Sequence, residues 1–142
     1  MQTLSVARLF EDQRQDLQLE SMSESLASRR EITVSDIHRP GMALMGFVEN
    51  FLPARIQIIA QTELTYLATL SPERVREAID RLYQFEMPLI VVCKGLEVPP
   101  YLVSRANECQ VPVLRTNQST TPFIHSLTLY LDHMFAPQVT VH

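Results

Sequence analysis

The run Pro88-Leu89-Ile90-Val91-Val92-Cys93 constrains the fold of this chain more than any other segment. Side chains of an extended strand point alternately to opposite faces, so a stretch with no polar alternation fits a strand covered on both sides. The segments around it repeat the pattern. Ile56 to Ala60 is a second buried strand, and Val111-Pro112-Val113-Leu114-Arg115 is a third. Between the first two, Thr62 is read as the cap of a helix over Glu63 to Leu70. Ser71-Pro72-Glu73 then offers a cap, a proline at the first helical position and an acid in the first turn of a helix reaching about Gln84. Its apolar positions Val75, Ala78, Ile79 and Leu82 share one face. A further helix is predicted from Pro100 to Gln110. Parallel strands need helical crossovers, so this alternation predicts an α/β fold with a mainly parallel sheet and flanking helices.

The flanks are less regular. Thr3 is read as the cap of a short helix over Leu4 to Phe10, followed by a strand at Leu17 to Glu20, a polar and partly helical stretch from Ser21 to Arg30, and a strand at Ile32-Thr33-Val34. Arg39-Pro40-Gly41 is a turn signal. This N-terminal third is expected to supply edge strands or cover. Ser119-Thr120-Thr121-Pro122 opens a last helix, with Phe123, Leu127, Tyr130 and Met134 on one face. Val139 to His142 alternates as a strand would, so residues from about 135 onward form a linker or strand. The 142 residues fit a single domain.

Charge and composition exclude several function classes. Twelve basic residues, eleven of them scattered arginines, against sixteen acidic ones give a net charge of -4, which disfavours a groove for nucleic-acid phosphates. No apolar run can span a bilayer and no export signal is visible at the start, so a soluble, cytoplasmic chain without a membrane partner is expected. Three glycines supply neither G-x-G-x-x-G nor G-x-x-x-x-G-K-[ST], and ATP hydrolysis by this chain alone is not expected. The histidines His38, His125, His133 and His142 lack metal-ligand spacing, so no metal site is predicted and His125 and His133 read as solvated helix residues. Cys93 and Cys109 read as small buried hydrophobes.

Three segments have the character of a site. Arg115-Thr116-Asn117-Gln118-Ser119-Thr120-Thr121 joins a strand end to a helix start, where backbone N–H groups and the helix dipole converge; Arg115, Thr116, Ser119, Thr120 and Thr121 are the anion or ligand candidates. The alternative is a plain helix cap with Arg115 paired to a surface carboxylate. Lys94-Gly95-Leu96-Glu97 occupies the equivalent position after the preceding strand. Asp36, His38 and Arg39 flank the Pro40-Gly41 turn; with Lys94 and Glu97 they are candidates for a contact surface, against a bland reading as hydrogen-bonded loop residues. Glu63, Thr65 and Tyr66, at a strand-to-helix junction, read as capping and packing residues.

Taken in order, these phrases resemble the N-terminal domain of bacterial HPr kinase/phosphorylase. The residues that carry the resemblance are Ile32-Thr33-Val34-Ser35-Asp36 with Arg39-Pro40-Gly41, Arg55-Ile56-Gln57 with Thr62-Glu63-Leu64, Lys94-Gly95-Leu96-Glu97 with Pro99, Pro112 to Thr116, Ser119-Thr120-Thr121 and Val141-His142. Ala60 stands where that pattern commonly has glycine, and Lys94 where it often has arginine. The resemblance implies a fold similar to the N-terminal domains of the Mur ligases. It also implies that this chain is a non-catalytic, regulatory or interaction domain, truncated before a catalytic domain with a phosphate-binding loop. The parent would phosphorylate and dephosphorylate a serine of the phosphocarrier HPr in carbon regulation, use ATP or pyrophosphate with Mg²⁺, and assemble as a hexamer through its catalytic domains. His142 matches a histidine counted in that active site, so it is expected to act only in the full-length enzyme. No cofactor is expected in this chain itself. A rival reading is a sensor domain binding an anion or nucleotide near Arg115.

Overall fold

The computed structural model describes residues 3–27 and 29–137. In chain order the elements are β1 (Leu4–Ser5), α1 (Val6–Gln13), β2 (Leu19–Ser21), a 3-10 turn (Ser25–Ala27), β3 (Glu31–Ile32), β4 (Ile37–His38), α2 (Gly41–Leu44), β5 (Ile56–Ile59), α3 (Gln61–Ala68), α4 (Pro72–Leu82), β6 (Ile90–Val92), α5 (Pro100–Cys109), β7 (Val113–Thr116) and α6 (Thr120–Phe135). A five-stranded sheet has the order β2-β7-β6-β5-β4, in which β4 to β7 are parallel and β2 pairs antiparallel with β7. The strands β1 and β3 form a separate antiparallel pair. The α/β class with a mainly parallel sheet is therefore the observed one.

Both faces of the sheet are covered, which accounts for the unbroken apolar run. On one face Ile56, Ile58, Leu89, Val91 and Leu114 pack with α1 and with Phe123, Leu127 and Leu131 of α6. On the other, Ile59, Ile90, Val92 and Val113 pack with α2, α3, α4 and α5. The successive crossovers thus lie on one face, and α6 returns on the opposite one. Tyr130 and Met134 are partly buried beside the α6 stripe.

Several boundaries differ from the sequence reading, each for a tertiary reason. Ser5, not Thr3, caps α1 and accepts from Arg8 N at 3.1 Å, because Leu4 and Ser5 are held extended by pairing with Ile32 and Glu31. The strand expected at Ile32 to Val34 is confined to Glu31–Ile32. The Arg39-Pro40-Gly41 turn is real but is preceded by β4 and runs into the one-turn α2, both too short to show a period. Thr62 lies inside α3; the junction residue is Ala60, whose N–H is bonded by the Glu63 carboxylate. Ser71 caps α4 as expected, with Oγ accepting from Arg74 N at 3.3 Å, and the helix ends at Leu82. The strand expected at Val139 to His142 lies outside the described residues.

Candidate functional site

The parallel strands β4, β5, β6 and β7 end along one edge of the sheet, and in open α/β sheets ligands bind outside such carboxyl ends, at the point where connections diverge to opposite faces. Here that point lies between β6 and β7, since α5 covers one face and α6 the other. The two loops are joined across it. Lys94 N donates to Gln118 O at 2.9 Å and Gly95 N donates to Thr116 O at 2.7 Å. Lys94 and Gly95 are both in the left-handed region, at φ 64° and 62°. A Cβ at position 95 would stand 2.9 Å from Asn117 Oδ1, so glycine is what permits this approach. The backbone donors of Lys94 and Gly95 are thus spent on holding the loops together.

The sequence-predicted turn residues are largely committed as well. Arg115 Nη2 donates to Glu20 Oε2 at 2.8 Å, across the antiparallel register of β2 and β7, and its Nε is buried without a partner. Thr116 is fully buried; its hydroxyl donates to Leu17 O at 2.6 Å and accepts from Gln118 N. Ser119 is the first residue of the α6 junction and makes no side-chain cap bond, and Thr121 is exposed. Lys94 and Glu97 are exposed. Asp36 makes a 3.9 Å ion pair with Arg55. His125 and His133 are exposed on α6, and His142 lies outside the described residues.

One further group assembles at the ends of β4, β5 and β6. Glu63 is 4% exposed, and its carboxylate accepts from Ala60 N at 2.8 Å, from Arg39 Nη2 at 2.9 Å and from Arg39 Nε at 3.1 Å. This is a fork-to-fork pair with both carboxylate oxygens satisfied. Cys93, at the end of β6, is buried, and burial pushes its thiol up to about 11; a hydrogen bond to the Thr120 hydroxyl and the Arg39 charge act the other way, and the Glu63 charge adds to the rise. It stays a protonated thiol with the character of a buried hydrophobe. Cys109 departs from that reading, being only half-buried, because it closes α5 where the helix turns out to solvent. Sequence inspection placed Glu63 as a cap but missed its bond to Arg39, 24 residues away. An acid three residues after the junction residue Ala60 was the available signal.

Beside Arg39, the His38 ring stands edge-on to Phe51 with centroids 5.2 Å apart. Burial, then the nearby Arg55 charge, holds its imidazole below the usual 6.5. A group with a lowered folded pKa favours folding fully above the unfolded value, and that contribution is lost as pH falls from about 6.5 through the folded value. Thermal melts between pH 7.5 and 5 should therefore show an acid-side loss of stability that His38→Phe reduces; equal slopes for both chains would remove His38 as the cause.

The family model described as HPr Serine kinase N terminus matches residues 4–131. The chain is 36% identical over 142 residues to an HPr kinase/phosphorylase of Alkaliphilus metalliredigens (strain QYMF), covering all of this chain and 45% of that protein. It is 39% identical over 125 residues to one of Halalkalibacterium halodurans, covering 88% of this chain and 40% of the relative. It thus spans less than half the length of the curated relatives it matches. A crystal structure of the CBS and DRTGG domains of the regulatory region of Clostridium perfringens pyrophosphatase, complexed with the activator diadenosine tetraphosphate, shares the fold. The TM-score is 0.60 at 12% identity, over 87% of this chain and 47% of that one. With an α/β architecture and a family model matching residues 4–131, the chain belongs to the HPr serine kinase N-terminal domain family.

Proposed function

We propose that this chain is a non-catalytic regulatory or interaction domain of a bifunctional HPr kinase/phosphorylase, whose remaining half phosphorylates and dephosphorylates a serine of HPr. The observation that carries this reading is the stapled edge of the sheet. Phosphoryl transfer needs a phosphate cradle and metal ligands aimed at the reacting groups, whereas here the backbone donors of Lys94 and Gly95 and the Glu63 carboxylate are consumed internally. ATP or pyrophosphate, Mg²⁺, the contacts to HPr and hexamer assembly would belong to the other half, in the cytoplasm. His142 would enter the chemistry only there. In the full-length protein, deletion of residues 1–131 should leave phosphoryl transfer to HPr measurable, and His142→Ala should reduce it while leaving the melting temperature of the 142-residue chain unchanged. A folded deletion protein with no transfer would overturn the assignment of the chemistry to the other half.

A second reading, binding of an anion or nucleotide near Arg115, is supported by the unpartnered Arg115 Nε and by the free hydroxyls of Ser119 and Thr121 at the start of α6. It predicts that phosphate or a uridine nucleotide raises the melting temperature at fixed ionic strength and that Arg115→Ala abolishes the rise. The Arg115–Glu20 pair favours the opposite outcome, a modest destabilisation of about 1 kcal/mol independent of anion.

A further inference from the structure

The first turns of α4 and α5 and the flank of α3 enclose a surface groove in which two recesses meet, with Val75 and Pro100 as their common wall. One recess, of about 450 Å³, lies between Val75 and Arg76 of α4 and Tyr101 of α5. The other, of about 270 Å³, is bounded by Leu64 and Leu67 of α3 and by Glu97 and Pro99 in the loop before α5. The walls are mostly apolar, and the aromatic one is fixed in place. The Tyr101 hydroxyl donates to Asp80 Oδ1 at 2.7 Å, and Arg105 Nε donates to the same oxygen at 3.0 Å. The Arg76 guanidinium stands 5.9 Å from the centre of the Tyr101 ring. Arg76 and Glu97 are both exposed, and neither has an ion-pair partner among the described residues. The groove is thus preformed and apolar along its floor, positive at one end and negative at the other.

We propose that this groove docks an amphipathic helix of a partner protein, with acidic residues in the first turn of that helix meeting Arg76 and basic residues in its last turn meeting Glu97. The proposal rests on the interaction-domain reading above and adds to it the surface and the chemistry of the partner. Three observations select that occupant. First, the rim cannot hold an extended peptide by its main chain. Pro72, Pro99 and Pro100 carry no N–H, Pro99 O already accepts from Leu102 N and Val103 N, and Ser71 O accepts from Val75 N. Recognition therefore falls to side chains. Second, two apolar recesses that share a wall suit aliphatic side chains one helical turn apart, as at positions i and i+4, where Cβ atoms stand about 5 to 6 Å from each other. Third, the opposite charges at the two ends give the occupant a direction. A helix is stabilised by acids near its N-terminus and by bases near its C-terminus, so a helix that suits its own dipole also suits this groove, in one orientation. A uniformly acidic or basic partner meets a like charge at one end. A second copy of the chain does not pair through this face, because a two-fold interface needs a knob beside its hole, and the exposed large hydrophobic side chains, Met42, Met45, Phe47, Leu52 and Leu129, all lie elsewhere.

Titration of the 142-residue chain with two synthetic peptides, followed by amide NMR shifts, tests this. Each peptide has about 18 residues, long enough to form an isolated helix, and carries two leucines four residues apart on an alanine background. One has glutamates in its first turn and lysines in its last; the other has them in reverse order. The first peptide is expected to shift the amides of Leu64, Val75, Glu97 and Tyr101 and to bind more tightly than the second by about fivefold or more. The double variant Arg76→Glu, Glu97→Lys, altered only at exposed positions and checked for folding by circular dichroism, should move that ratio about tenfold towards the second peptide. Replacing both leucines of the peptide by serine should remove the shifts. Absence of shifts at these residues with millimolar peptide, equal binding of the two peptides, or a ratio unchanged in the double variant would overturn the proposal. The same shifts on concentrating the chain alone would also overturn it, by marking a second copy as the occupant. None of these outcomes bears on where the phosphoryl chemistry resides, which is read separately by transfer to HPr in the deletion protein.

Discussion

Arg39→Ala and Glu63→Ala are each expected to destabilise the fold by about 2 to 3 kcal/mol, among the largest effects of any polar substitution here. Removing the arginine leaves a carboxylate that is 4% exposed with only Ala60 N as a partner. Removing the glutamate abolishes that junction bond and the anchor of Arg39 together. The expected figure is set below the usual cost of breaking a fully buried pair, because the Arg39 side chain is 38% exposed and solvent screens part of its charge. Since both residues act in one pair, the double variant should lose less than the sum of the single variants by more than 1 kcal/mol. Urea denaturation of the four chains gives the cycle; additive losses would show that Arg39 and Glu63 are not coupled.

Gly95→Val should cost about 2 kcal/mol through a different route. A β-branched residue at φ 62° bears left-handed strain of roughly 1 to 2 kcal/mol, and its Cβ would press on Asn117 Oδ1. The predicted consequence is local as well as global. Amide exchange at Lys94 and Gly95, whose N–H groups bridge to Gln118 and Thr116, should accelerate more than exchange in the central strands. Asn117→Gly in the same background should recover the part of the loss due to contact and leave the backbone part. A Gly95→Val chain as stable as the parent would show that the loops are not held as described.

How far the fold could be read from the sequence depended on element length. The unbroken run ending at Cys93, the Ser71-Pro72 cap and the Ser119-Thr120-Thr121-Pro122 start of the last helix each carry a period or a cap signal, and the structure places β6, α4 and α6 there. By contrast β4 has two residues and α2 four; their conformations are set by pairing with Ile56 and Gln57 and by packing of Ala43 and Leu44, which no local pattern reports. The candidate site follows the same rule. Glu63 was legible as a junction residue because its bond to Ala60 is local. Its bond to Arg39 was not legible; that Arg115 meets a surface carboxylate was, but not that the carboxylate is Glu20, 95 residues away, because each partner is set only after strands meet in the sheet. Ser5 displaced Thr3 as a cap for the same reason: β3 holds the preceding residue extended.

On the function proposed above, the strand-end groups of this chain hold the fold together and phosphoryl transfer belongs to the other half of the parent protein. Incubating the purified 142-residue chain with HPr, Mg²⁺ and either ATP or pyrophosphate, and following the mass of HPr, tests it most directly. The account predicts no phosphorylated HPr and, with phosphorylated HPr as the starting material, no loss of phosphate. Transfer by this chain that disappears on substituting one of its own residues, with folding intact, would contradict it.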